Sequence, residues 1–354
     1  MNVIDYYIYF FLEYLVVLFG TFELLFIPKY SRIFWKIDKQ SQKDNQARSS
    51  EIDIIRGIAI LAVVIIHSCY LLMKGDLDTN QILTLSFINN ILRFTIPIFL
   101  FTSGLLLKPF IWSKKNILKF YIDKLIRIGI PYIFISFVLW LIGYTEDKSL
   151  ISLLVTGSAA VPLYFVPLLV QMYLLYPILD FIRTKNKYFL VIVSFFISIL
   201  SYLNPISWNI WGVTFFGPYL IFFVYGMVRT NILVTKPSKK WKKLIYLYII
   251  LQIALIFFIK WFDFQKTFFE IMTFYFYNTQ YYFGFAVMFT LFRYLSKNNQ
   301  KVSKAKSILA SWGRISLWIF LVHFPIQELV FNLMPIKQYI FVQLIFSTFL
   351  TLLI

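Results

Sequence analysis

The sequence predicts an all-α, polytopic transmembrane helix bundle of about eleven spans. Three observations point there. Hydrophobic residues make up 60% of the 354 residues and charged residues only 14%, against about 45–50% and 25% in soluble domains. The apolar residues fall in runs close to the roughly 20 that a helix needs to cross the hydrocarbon core. The basic residues collect in every second connection between those runs. A water-soluble domain of this length could not hide so much apolar surface, and disordered, collagenous and disulfide-scaffold classes fail on the same figures.

The runs lie at residues 7–27, 52–73, 87–107, 120–143, 161–182, 188–204, 210–228, 244–260, 270–292, 307–331 and 338–354. The first lacks a basic leader and a small-residue cleavage site and is too long for a signal peptide, so it reads as a retained span. Residues 1–50 then form an N-terminal span with a basic cytoplasmic linker, ahead of a membrane domain at 51–354. Loop charge tests the count. The connections 28–50, 108–119, 183–187, 229–243 and 293–306 carry 24 Lys and Arg, whereas the alternate connections carry only Lys74, Lys148, Lys266 and Lys337. That asymmetry places the basic connections in the cytoplasm and the second span running outward. It also accounts for the formal net charge of +18 without nucleic acid, for which no basic module is present. Cys69 is the sole cysteine, so no intrachain disulfide or thiolate cluster can form. No metal-ligand spacing, Gly-rich phosphate loop or serine nucleophile elbow occurs.

Ionisable groups inside spans cost several kcal/mol on insertion scales and are functional candidates by default. They include Glu13, Glu23, Asp53, Arg56, His67, Arg93, Lys124, Arg127, Asp180, Arg314, His323 and Glu328. Both histidines of the chain are among them. Arg56 and His67 are eleven residues apart, which on a helix is three turns plus about 20°, so they share a face. Their axial offset of about 16 Å suits an elongated ligand better than a salt bridge. Asp53 precedes Arg56 by three residues, within reach to orient it. Cys69 points about 200° away from His67. Counted from the outer ends of their spans, His67, Arg93 and His323 lie in one layer of the outer half-membrane. Arg56, Lys124, Arg127 and Arg314 form a second layer near the cytoplasmic face. The pattern describes a channel with a basic entrance and a histidine centre.

These residues resemble the membrane acyltransferase-3 family of surface-polysaccharide O-acyltransferases. Arg56 and His67 match its Arg-x10-His motif within a D-x-L-R-x-x-A-like opening. Arg93-Phe-Thr-Ile-Pro97-Ile-Phe99, continuing to Ser103-Gly104, is similar to its R-x-x-V-P-x-F-F-x-x-S-G. Lys124-Leu-Ile-Arg127-Ile-Gly-Ile-Pro131 is similar to R-x-x-R-I-x-x-P, with Lys124 in place of the first Arg. Leu163-Tyr164-Phe165-Val166, followed by Tyr173 and Pro177, resembles L-W-F-L…Y…P, with Tyr164 in place of Trp. Ser316 to His323 and Pro325 resembles S-x-x-I-Y-x-x-H-x-P. The matches run in family order over residues 51–330.

The resemblance implies a ten-span core and transfer of an acyl group, commonly acetyl, from cytoplasmic acyl-CoA to a sugar hydroxyl. In that scheme His67, Arg56 and Asp53 are catalytic, and Lys124, Arg127 and Arg314 hold the phosphates of the donor. Arg93, His323 and Tyr164 serve the acceptor or the developing oxyanion. Acyl-CoA is a substrate, with no bound cofactor. The implied partners are acyl-CoA, a carbohydrate acceptor, membrane lipid and polysaccharide-assembly proteins, at a multi-pass location in a bacterial cytoplasmic membrane. The other reading the polar channel allows is a transporter or exporter of polysaccharide or lipid-linked sugar.

Overall fold

The computed structural model describes residues 50–75, 77–109, 112–145, 148–203, 209–210, 212–228 and 304–333, with residues 250, 281, 284, 285 and 348. The spans expected at 7–27, 244–260, 270–292 and 338–354 lie wholly or largely outside the described residues.

The described chain is helical apart from a two-stranded hairpin. Helix α1 spans Ser50–Leu72 and α2 spans Thr79–Ile91. Helix α3 covers Thr95–Leu105 and α4 Lys114–Lys124. A π-turn at Leu125–Gly129 leads into α5, Ile130–Leu141. After α6, Leu150–Thr156, a 3-10 turn at Val161–Tyr164 opens α7, Phe165–Lys185. Helix α8 is Lys187–Leu203. Strands β1 (Asn209–Ile210) and β2 (Val213–Thr214) pair antiparallel, and a 3-10 turn at Gly217–Tyr219 precedes α9, Leu220–Val228. Helices α10, Lys304–Arg314, and α11, Ser316–Leu333, complete the described elements.

Four stretches are long and apolar enough to cross a membrane, and α10 with α11 makes a fifth if that bent pair counts as one span. Their outward faces carry the membrane signature. Leu118, Ile122, Leu125, Ile130, Ile133, Phe137 and Leu141 are exposed in one stripe along α4–α5. Leu125 and Ile130 are five residues apart, and the π-turn between them carries the stripe across the junction. Val170, Leu174, Ile178 and Phe181 form a second stripe on α7, and Phe189, Ile192, Phe196 and Leu200 a third on α8. Contiguous apolar faces of this length require lipid, not water.

Several expected boundaries move. The third span begins at Asn80 rather than 87, because Asp78 caps α2 with a full capping box. The fourth begins at Lys114, where Ser113 caps the helix. The seventh is not continuous over 210–228: its first residues form the hairpin. The tenth, expected unbroken over 307–331, is two helices bent by 83°. Here Gly313 packs its backbone against the backbone of Asp53, and Gly57 does the same against Leu309, so a Cβ at either glycine would overlap main chain. Small-residue contact therefore lays α10 antiparallel along the first turns of α1, and a new helix starts at Ser316.

The core lies where α1, α3, α7, α9 and α11 meet, around Ile55, Ile60, Leu100, Phe101, Leu163, Phe223 and Phe324, all nearly inaccessible. One buried ion pair ties two of these helices together. Asp180 forms an ion pair with Arg183, whose Nη1 donates to the Met227 carbonyl at 2.8 Å, tying α7 to α9.

Candidate active site

Helix α1 is unbroken from Ser50 to Leu72, so the shared face of Arg56 and His67 is real structure. Asp53 is buried on its first turn, while Arg56 and His67 are half-buried. Cys69 packs away from that face, with Leu72 and Leu85.

Helix α11 brings the second histidine to the first. The His67 and His323 rings have centroids 5.2 Å apart and are tilted by 48°. Phe324 meets His67 edge-on at 5.4 Å and reaches Tyr70 at 6.2 Å. His323 has 0% of its surface exposed. Its Nδ1–H donates to the carbonyls of Phe320 at 2.8 Å and Ile319 at 3.1 Å, one turn back in its own helix. His67 Nδ1 and His323 Nε2 are buried without a hydrogen-bond partner among the described residues.

Gln327 is a site residue that sequence reasoning missed. It is fully buried, one turn beyond His323. Its Nε2 donates to the Val64 carbonyl at 2.8 Å and to Ser68 Oγ at 2.6 Å, residues on either side of His67. A carbonyl can only accept, so the amide orientation is fixed by Val64. A carboxamide four residues after a histidine in an apolar helix was the available signal.

Arg93 sits in the turn between α2 and α3. Its guanidinium interacts electrostatically with the phenols of Tyr164 and Tyr219, and Tyr219 stacks edge-on with Tyr281 at 5.8 Å. Tyr164 ends the 3-10 turn before α7, and its neighbour Phe165 touches Phe320 at 5.4 Å, which lies 5.8 Å from His323. Phe165 and Phe320 therefore link the histidine pair to the start of α7, next to Tyr164.

The basic residues separate into two places. Arg314 is exposed at the end of α10, one residue after the glycine that packs on Asp53 at the start of α1. Lys124 instead lies over the Tyr173 ring at 4.2 Å and near Phe120 at 5.4 Å, against α7. Arg127 is exposed within the π-turn that follows. At the far end of α1, Lys74 approaches Glu328 at 3.7 Å, and Tyr144 OH donates to the same carboxylate. That group joins α1, α11 and the end of α5; Glu328 was singled out in the sequence without an assigned role.

An apolar helical bundle with two adjoining histidines inside it, one of them on the same helix as Arg56, has the character of a membrane protein. The chain belongs to the acyltransferase-3 family: the family described as "Acyltransferase domain" matches residues 49–354. It is accordingly a membrane acyltransferase. No curated protein and no solved structure gives a match.

Proposed function

We propose that the protein is an O-acyltransferase that moves an acyl group, acetyl foremost, from cytoplasmic acyl-CoA to a hydroxyl of a cell-surface polysaccharide or lipid-linked sugar. The observation that carries the reading is His67: half-open on a helix shared with Arg56, and backed by a sealed second histidine. The donor is a long molecule, with phosphates at one end and a thioester at the other. Arg56, oriented by Asp53, and Arg314 beside the same turns offer cationic groups for the phosphates. The pantetheine arm then spans the roughly 16 Å to His67. Arg127 and Lys124 add positive charge on the cytoplasmic side, with Lys124 supplying a point charge rather than a bidentate fork.

In the reaction His67 takes the proton of the acceptor hydroxyl as its oxygen attacks the thioester carbonyl. The new C–O bond forms, the C–S bond breaks, and the departing thiolate receives the proton from the imidazolium. Arg93 and Tyr164 serve the oxyanion or the acceptor. The membrane is the bacterial cytoplasmic membrane, with polysaccharide-assembly proteins as partners. The test is acceptor acetylation in cells carrying His67→Ala or Arg56→Ala at equal protein level. Loss in both is expected, and normal acetylation in the His67 variant overturns the mechanism.

A further inference from the structure

We propose that His323 sets the tautomer of His67: His323 Nε2 accepts a hydrogen bond from His67 Nδ1–H and so leaves His67 Nε2 as the lone-pair nitrogen that meets substrate. The inference rests on the acyl-transfer reading only for the identity of the reaction. Its geometry stands apart from it.

Consider His323 first. Its Nδ1 faces two carbonyl oxygens, at 2.8 Å and 3.1 Å. Carbonyls accept only, so Nδ1 carries the proton, and in a neutral imidazole Nε2 is then an acceptor. That acceptor is buried and has no partner among the described residues. On the adjoining ring His67 Nδ1 is buried and lacks a partner in the same way. A buried polar atom left unpaired costs about 1–3 kcal/mol, and here two lie on rings whose centroids are 5.2 Å apart. The ring torsion of histidine is broad. With centroids 5.2 Å apart, ring nitrogens turned to face each other stand about 3 Å apart, a hydrogen-bond distance. Both groups are satisfied only if His67 Nδ1 is the protonated nitrogen.

His323 is the fixed member of the pair. It is bonded to its own helix, and Gln327 one turn on pins that helix to Val64 and Ser68, on both sides of His67. His67 is half-open and adjusts to it. The consequence is a base whose active nitrogen is chosen before substrate arrives, the role that a third group plays for the histidine of hydrolytic triads. When Nε2 of His67 takes a proton from the acceptor hydroxyl, the resulting imidazolium keeps its Nδ1–H···Nε2 bond. The proton then leaves from the same Nε2. His323 stays neutral, touches no reacting atom and is a positioning residue.

The chain contains two histidines, so the test is direct. The protein is labelled with 15N-histidine, purified through a tag that contains no histidine, and returned to bilayers for nuclear magnetic resonance without any acyl donor. Both neutral imidazoles are expected as Nδ1–H tautomers. His323→Phe keeps ring volume and removes the acceptor, so His67 becomes a mixture of tautomers. His323→Gln supplies Oε1 where Nε2 was and restores Nδ1–H. In acyl transfer, His323→Phe lowers kcat by about 10–100-fold with the acyl-CoA KM unchanged, and His323→Gln recovers most of the loss. A wild-type His67 protonated on Nε2, or a tautomer unaltered in His323→Phe, overturns the inference, and the wild-type spectrum decides even if the variant does not fold. An Nδ1–H His67 in a protein that transfers no acyl group upholds the tautomer and refutes the activity.

Discussion

Gln327 on α11 donates to Ser68 Oγ on α1 across 2.6 Å, one residue beyond His67. The same amide also bonds the Val64 carbonyl, so one side chain spans a full turn of the facing helix. This cross-link fixes how α11 lies on α1 and hence how far His323 stands from His67. Replacing Gln327 with Met keeps length and removes both bonds. The expected destabilisation is about 1–3 kcal/mol, because buried partners are left without a donor. Ser68→Ala costs less in the Gln327→Met background than alone, since the two share one interaction. Thermal unfolding in detergent across the four proteins checks both statements, and strict additivity would show that the bond contributes nothing.

Much of this site was legible one helix at a time. The common face of Arg56 and His67 follows from the 3.6-residue period, and counting from span ends put His67 and His323 at one depth. Their adjacency was not legible, since neighbour relations between helices depend on packing of distant segments. Gln327 escaped notice because it is uncharged, and its importance comes from Val64 and Ser68, some 260 positions away. The 83° bend between α10 and α11 has no proline to mark it. It comes from a glycine meeting another helix's main chain, which apolar run length does not register.

That glycine contact makes a second prediction. The backbones of Gly313 and Asp53 touch, as do those of Gly57 and Leu309. A methyl group at either glycine must push α10 off α1, and overpacking of this kind costs about 1–3 kcal/mol. Because Arg314 follows Gly313 directly, the shift also moves a cation away from the first turns of α1. Gly313→Ala is therefore expected to raise the KM for acyl-CoA while changing kcat little. A variant with wild-type stability and donor KM would show that this contact does not place the cation.

Arg56 is expected to act on the donor rather than on the bond that breaks. Its position lies about 16 Å along α1 from that of His67, which sets it at the donor's far end rather than at the thioester carbonyl. Arg56→Lys keeps the charge and loses the planar fork, so the KM for acyl-CoA rises about tenfold, a change of about 1.4 kcal/mol. Arg56→Ala raises it further. Steady-state kinetics with acyl-CoA varied at fixed acceptor separates the two parameters. A loss confined to kcat would move Arg56 from the donor's phosphates to the chemistry.

The ammonium of Lys124 rests on an aromatic face. The nitrogen lies 4.2 Å from the centre of the Tyr173 ring and 5.4 Å from that of Phe120. A contact of this kind contributes about 0.5–2 kcal/mol, more as water is excluded. It ties the end of α4 to α7 just before the π-turn that carries Arg127. Arg stacks on tyrosine at least as well as Lys, so Lys124→Arg is expected to keep full stability, whereas Lys124→Met loses the contact. Tyr173→Leu should lose about as much as Lys124→Met, and the double variant little more than either. If Lys124 serves the donor as well, Lys124→Met raises the acyl-CoA KM and Tyr173→Leu does not, because the charge remains when only the ring is removed. Equal KM values in the two variants would assign Lys124 to packing alone and leave Arg56 and Arg314 to hold the phosphates.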